Sequence, residues 1–109
     1  MSKNKEEIRE LWEILVPTQF NDGRPIKVKY HRVWDGKVYD ITNGVTILPP
    51  AKGKWVNPDG KLFQERMIPV RIACSEEQIH RIIDMSMEYY DQEAIMAYRI
   101  SERVIIKHR

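Results

Sequence analysis

Between Lys61 and Ala73 the chain alternates on two faces: Leu62, Ile68, Val70 and Ile72 fall on one, and Phe63, Glu65, Met67 and Arg71 on the other. Two is the side-chain period of a strand, so this stretch predicts a β-strand with one apolar face and one mixed face. Leu11–Phe20 alternates too, with Trp12, Ile14 and Val16 on one side and Glu13 between them, a strand that Pro17 places at an edge or bulge. Glu93–Ile100 sets Ala94, Met96, Tyr98 and Ile100 against Glu93, Ile95, Ala97 and Arg99, and a bulge or bend at Ser101-Glu102 leads into Val104–Lys107. Val45–Leu48 predicts a short strand closed by Pro49-Pro50.

Helical spacing appears twice. Tyr30, Val33, Trp34, Val38 and Ile41 recur along Val28–Ile41, and Asn43-Gly44 supplies a C-terminal cap. Gly36 weakens that helix by about 1 kcal/mol relative to Ala. Ser75-Glu76-Glu77-Gln78 has the form of a capping box, and Ile79, Ile82, Ile83, Ser86 and Met87 form a stripe running to about Tyr90. Ala51–Lys61 reads as a glycine- and proline-rich loop with a tight turn at Asn57-Pro58-Asp59-Gly60. The order β-α-β-β-α-β predicts an α+β, ferredoxin-like split βαβ domain, with an antiparallel sheet and two helices on one face.

The motifs Gly44-Val45-Thr46-Ile47, Gly53-Lys54-Trp55, Asp59-Gly60-Lys61-Leu62, Glu65-Arg66 and Gln92-Glu93-Ala94-Ile95-Met96 form a series. It resembles the bacterial domain-of-unknown-function 3574 family over roughly residues 34–106. The resemblance implies a small α+β domain and no established activity.

At 109 residues, the sequence predicts a single domain, 1–109, that includes a polar N-terminal segment, 1–10. So small a core favours association, and a homo-oligomer, a dimer first, is expected. A net charge of +2 is far from a nucleic-acid signature, so nucleic acid is a disfavoured partner. The polar start carries no signal-type apolar run and no stretch reaches membrane-spanning length, which predicts a cytoplasmic protein that suits a bacterial or phage genome.

No P-loop, dinucleotide fingerprint or nucleophile elbow is present. His31, His80 and His108 have no metal-ligand spacing, and Cys74 has no partner cysteine, so neither a metal nor a cofactor is expected. His31 reads as a surface or capping histidine.

Two features carry chemistry. Lys52, Lys54, Trp55 and Lys61 could lie over an anionic ligand, the indole stacking while lysines neutralise charge. If the helices cover one sheet face, the other exposes Glu65, Met67 and Arg71, joined by Glu13, Leu15, Glu93, Ile95, Ala97 and Arg99 from neighbouring strands. The expected function is a non-catalytic homo-oligomer binding a small anionic ligand, a nucleotide among the candidates, or a protein partner. The expected ligand-binding residues are Lys54, Trp55, Glu65, Arg71, Glu93 and Arg99. The alternative is a small acid–base enzyme of isomerase or proton-transfer type. There Glu65, flanked by apolar Phe63 and Met67, is the acid or base, and an arginine anchors the anionic substrate.

Overall fold

A computed structural model describes residues 5–109. The elements run β1 (Lys5–Pro17), α1 (Val28–Thr42), β2 (Thr46–Ile47), β3 (Ala51–Val56), β4 (Leu62–Cys74), α2 (Glu76–Tyr89) and β5 (Ala97–His108). The central strands β1 and β4 are antiparallel, with Ile14 opposite Val70 and Glu13 opposite Arg71. On its other side β1 pairs with β5, which puts Tyr98 opposite Glu13. Along the outer edge of β4, β2 and β3 lie end to end: Ile47 meets Val70 and Ala51 meets Met67. Pro49-Pro50 separates them, since proline has no N–H to give the ladder. The result is an α+β domain with an antiparallel sheet in ferredoxin-like order, its outer strand interrupted once.

Both helices pack on the same sheet face. Ile14 and Val16 of β1 and Val70, Ile72 and Cys74 of β4 meet Trp34 and Val38 of α1, Ile79 and Ile82 of α2, and Tyr90. Each helix ends as local chemistry dictates. Ser75 Oγ accepts from the Gln78 N–H at 3.1 Å while the Gln78 side chain accepts from the Ser75 N–H at 3.0 Å, closing the capping box. Asn43 takes the left-handed conformation at φ 63° and ends α1. Trp34 Nε1 donates to Ser86 Oγ at 2.8 Å, and Ser86 passes the bond to the Ile82 carbonyl, so the two helices are tied by a buried relay. Beside it, buried Tyr90 holds its hydroxyl 2.7 Å from His31 Nδ1.

Three expectations change. The first strand lies earlier than Leu11–Phe20: residues 5–10, expected as a polar lead segment, pair with β5 and make β1 a central strand ending at Pro17. Residues 1–4 lie outside the described ones. The loop expected over Ala51–Lys61 is half strand: β3 and β4 form a hairpin, and only the turn at Asn57–Gly60 remains, with Gly60 at φ +84°. Local composition hid this strand because its partner, β4, supplies the ladder. The last strand starts at Ala97 rather than Glu93 and runs to His108, and the irregularity expected at Ser101-Glu102 is present: Arg9 pairs with Val104, Leu11 with Ser101 and Trp12 with Arg99, so β5 carries an extra residue on each side of Ser101.

Two predictions follow from this packing. The Trp12 indole N–H is buried without a partner, whereas that of Trp34 is bonded. Trp12→Phe and Trp34→Phe remove similar bulk, but only the second loses a hydrogen bond. Urea unfolding should therefore show Trp34→Phe to be about 1 kcal/mol more destabilising than Trp12→Phe. For His31, burial lowers the pKa below the ordinary histidine value, with Asp35 pulling partly the other way. The unfolded chain then binds a proton more readily than the folded one. The histidine's contribution to stability is complete above the unfolded value and is lost as pH falls from about 6.5. Unfolding midpoints measured from pH 8 downward should decline through that window in the parent protein and decline less in His31→Asn.

Candidate functional site

With both helices on one side, the odd-numbered side chains of β1 and β4 are left on an uncovered face. Glu13, Leu15, Met67 and Tyr98 share it and, with Trp55 and Glu65 from the hairpin, wall a basin of about 670 Å³. At its floor sits Glu13, only 6% exposed although no helix covers it. The reason is cross-strand pairing: Arg71 Nε donates to Glu13 Oε1 at 3.0 Å, and the Tyr98 hydroxyl donates to Oε2. The three residues stand directly opposite one another on β4, β1 and β5. That bond to Glu13, foremost among the causes, raises the Tyr98 pKa. Only Nε of Arg71 is engaged; its terminal amino groups have no hydrogen-bond partner among the described residues.

The hairpin forms the other wall. Trp55 stacks on Phe63 with ring centroids 4.7 Å apart and planes 14° apart. Gly53 lies opposite Glu65, and a side chain there would collide with the Met67 methyl group, so the glycine lets Met67 lie across β3. Glu65 is half-buried and makes no hydrogen bond or ion pair among the described residues.

The expected site residues divide. Trp55 and Glu65 are brought together on the basin wall, and Arg71 reaches its end through Glu13. Lys54 borders the basin, but its register with Gln64 sets it on the face of β3 opposite Trp55. Glu93 stands exposed in the connection before β5. Arg99 lies across from Trp12, and its guanidinium meets Glu10 at 3.3 Å and Glu102 at 3.6 Å, away from Glu65. The error was one of parity. Pairing with β1 places Tyr98 on the open face, while Ile95 and Ala97 pack against the core. Tyr98 is therefore the group missing from the expected open face, whereas Glu13 was expected on that face though not among the ligand-binding residues. The available signal was Glu13 itself, an acid between Trp12 and Ile14 in a strand that reads as buried.

Among the described residues no group of three or more His, Cys, Asp or Glu is arranged to hold a metal ion. Cys74 is buried, and that burial pushes its thiol up to about 11. No helix among the described residues is long and apolar enough to cross a membrane.

No protein-family model and no curated protein matches the chain. Solved structures do match. A phage SAM lyase in complex with S-methyl-5'-thioadenosine superposes with a TM-score of 0.65 at 13% identity, covering 92% of this chain and 90% of that one. The periplasmic divalent cation tolerance protein CutA from Archaeoglobus fulgidus gives 0.60 at 12% identity, over 84% of this chain and 81% of its own. CutA1 from Oryza sativa gives 0.60 at 12%, over 94% and 83%. At such identities the likeness establishes the fold: a small α+β, ferredoxin-like domain.

Proposed function

We propose that this chain works as a homo-oligomer, a dimer in the simplest form, that binds a nucleoside-type ligand on its open sheet face. The observation that carries this reading is the composition of the basin: an indole, a phenol and thioethers beside two carboxylates, in a volume of about 670 Å³. That size suits a nucleoside, since ligand pockets run to about 300–1,000 Å³. Trp55 offers a ring for a base, and the free carboxylate of Glu65 offers acceptors for sugar hydroxyls. The carboxylates also suit a sulfonium or other cationic group better than a bare anion, and aromatic faces add to that attraction. The anionic expectation draws on Lys52 and Lys54, whose register puts them behind the basin wall. The lyase of the same fold was solved with S-methyl-5'-thioadenosine, which makes this thionucleoside the natural probe. Association is supported by Met96 and Tyr98, which remain 56% and 40% exposed on or beside the basin. Kinship with the domain-of-unknown-function 3574 family belongs to the same proposal.

A second reading, an acid–base enzyme, is favoured by one observation: the half-buried Glu65 carboxylate has no partner within the described residues. It then acts on the bound nucleoside rather than only holding it.

Titration calorimetry with S-methyl-5'-thioadenosine separates the outcomes. Binding that weakens about tenfold in Trp55→Ala and in Glu65→Gln supports the nucleoside site. Absence of heat with the parent protein, or equal affinity in both variants, sinks it. SAM turnover that falls about a hundredfold or more in Glu65→Gln marks the enzyme. Sedimentation velocity of Met96→Glu should show fewer subunits than the parent protein.

A further inference from the structure

On the back of the hairpin, the face turned toward the helices, the chemistry is different. Lys52 stands directly opposite Arg66, and Lys54 opposite Gln64. None of these three cations has an ion-pair partner among the described residues, although Arg24 nearby is paired with Asp22 at 2.6 Å. Like charges directly across an antiparallel ladder repel. The Lys52–Arg66 pair is therefore an unfavourable juxtaposition that no carboxylate among the described residues neutralises.

The same three side chains border a second cavity, of about 530 Å³, between the hairpin and the loop that follows β1. Its other polar walls include the amides of Gln19 and Gln64, both capable of donating. Glu65 is the single carboxylate in the lining, and its register places it on the opposite, basin side. The loop is held in place: the Thr18 hydroxyl donates to the Arg66 carbonyl at 2.9 Å, and Asn21 Nδ2 donates to the Asp91 carbonyl at 2.7 Å. The register puts the Cβ atoms of Lys52 and Arg66 about 5 Å apart and those of Lys54 about 7–8 Å from Arg66, within the reach of side chains this long toward one multiply charged anion.

We propose that this cavity is a second site, for a phosphate-bearing small molecule, in which Lys52, Lys54 and Arg66 share the anion. Binding there converts a repulsive cross-strand pair into two charge-assisted contacts. A phosphate or pyrophosphate group suits it better than a monocarboxylate, because three uncompensated cations need more than one negative charge. The two cavities meet at Lys52, Gly53, Lys54 and Glu65, but Arg66, Gln64 and Gln19 line only this one and Trp55, Glu13 and Tyr98 only the basin.

The test uses sodium pyrophosphate in calorimetry at fixed ionic strength. Dissociation constants should rise about tenfold in Arg66→Gln and in Lys54→Gln. They should stay unchanged in Lys29→Gln, which removes an exposed cation from α1, and in Trp55→Ala, which alters only the basin. Arg66→Gln should also raise the melting temperature without ligand, because it removes the repulsion, while losing the further rise that pyrophosphate gives the parent protein. No heat with the parent protein, or an equal loss of affinity in Lys29→Gln, overturns the proposal. In that event the lysines serve only to keep the edge of the sheet from pairing with other strands.

Discussion

Two helices of 15 and 14 residues cover one face of this sheet, and no other element among the described residues covers the opposite one. Because side chains alternate across a strand, that shortage sorts the residues of β1 and β4 into two populations with different fates. Ile14, Val16, Val70 and Ile72 go beneath the helices and form the core. Glu13, Leu15, Met67 and Arg71 go to the uncovered face, where no helix among the described residues packs over them. The basin, its proposed ligand and the expected oligomer all descend from this one asymmetry.

The uncovered face is nonetheless ordered from within. Glu13 is withdrawn from solvent by the side chains on either side of it, and a buried carboxylate is costly unless its oxygens are hydrogen-bonded. Arg71 and Tyr98 meet that demand from opposite neighbours, so the triad also fixes the relative register of β4, β1 and β5. A slip of one residue would turn all three groups to different faces. Such a pair adds little net stability when compared with well-packed apolar residues. Its consequence here is positional: two cross-strand hydrogen bonds fix the Glu13 carboxyl at the floor of the basin, and Arg71 still has donors to spare.

The hairpin shows the same logic in a thinner element. β3 and β4 project beyond the end of β1, and each side chain there belongs wholly to one face or the other. Aromatic and acidic groups line the basin side, while cations crowd the back. Neighbours in sequence such as Lys54 and Trp55 thus take part in different chemistry. An alternating hairpin sets aromatic and acidic side chains on one face and basic ones on the other.

Much of this could be read before any coordinates. The strand of Leu62–Cys74, the capping box at Ser75, the helix ended by Asn43 and the ferredoxin-like order all follow from short-range rules: period, cap chemistry and turn residues. Those rules act within a few residues and need no partner. What escaped them depended on pairing. The β3 strand looked like loop because glycine and lysine have poor strand propensity, and only β4 beside it makes the ladder. The faces of β5 came out inverted because alternation gives two faces without saying which is inner; the opposition of Tyr98 to Glu13 decides that. The chain by itself determined which residues alternate and where each helix begins and ends. Tertiary structure alone decided which alternate set is covered, and hence that Glu13, Tyr98 and Glu65 share a basin from which Arg99 is turned away.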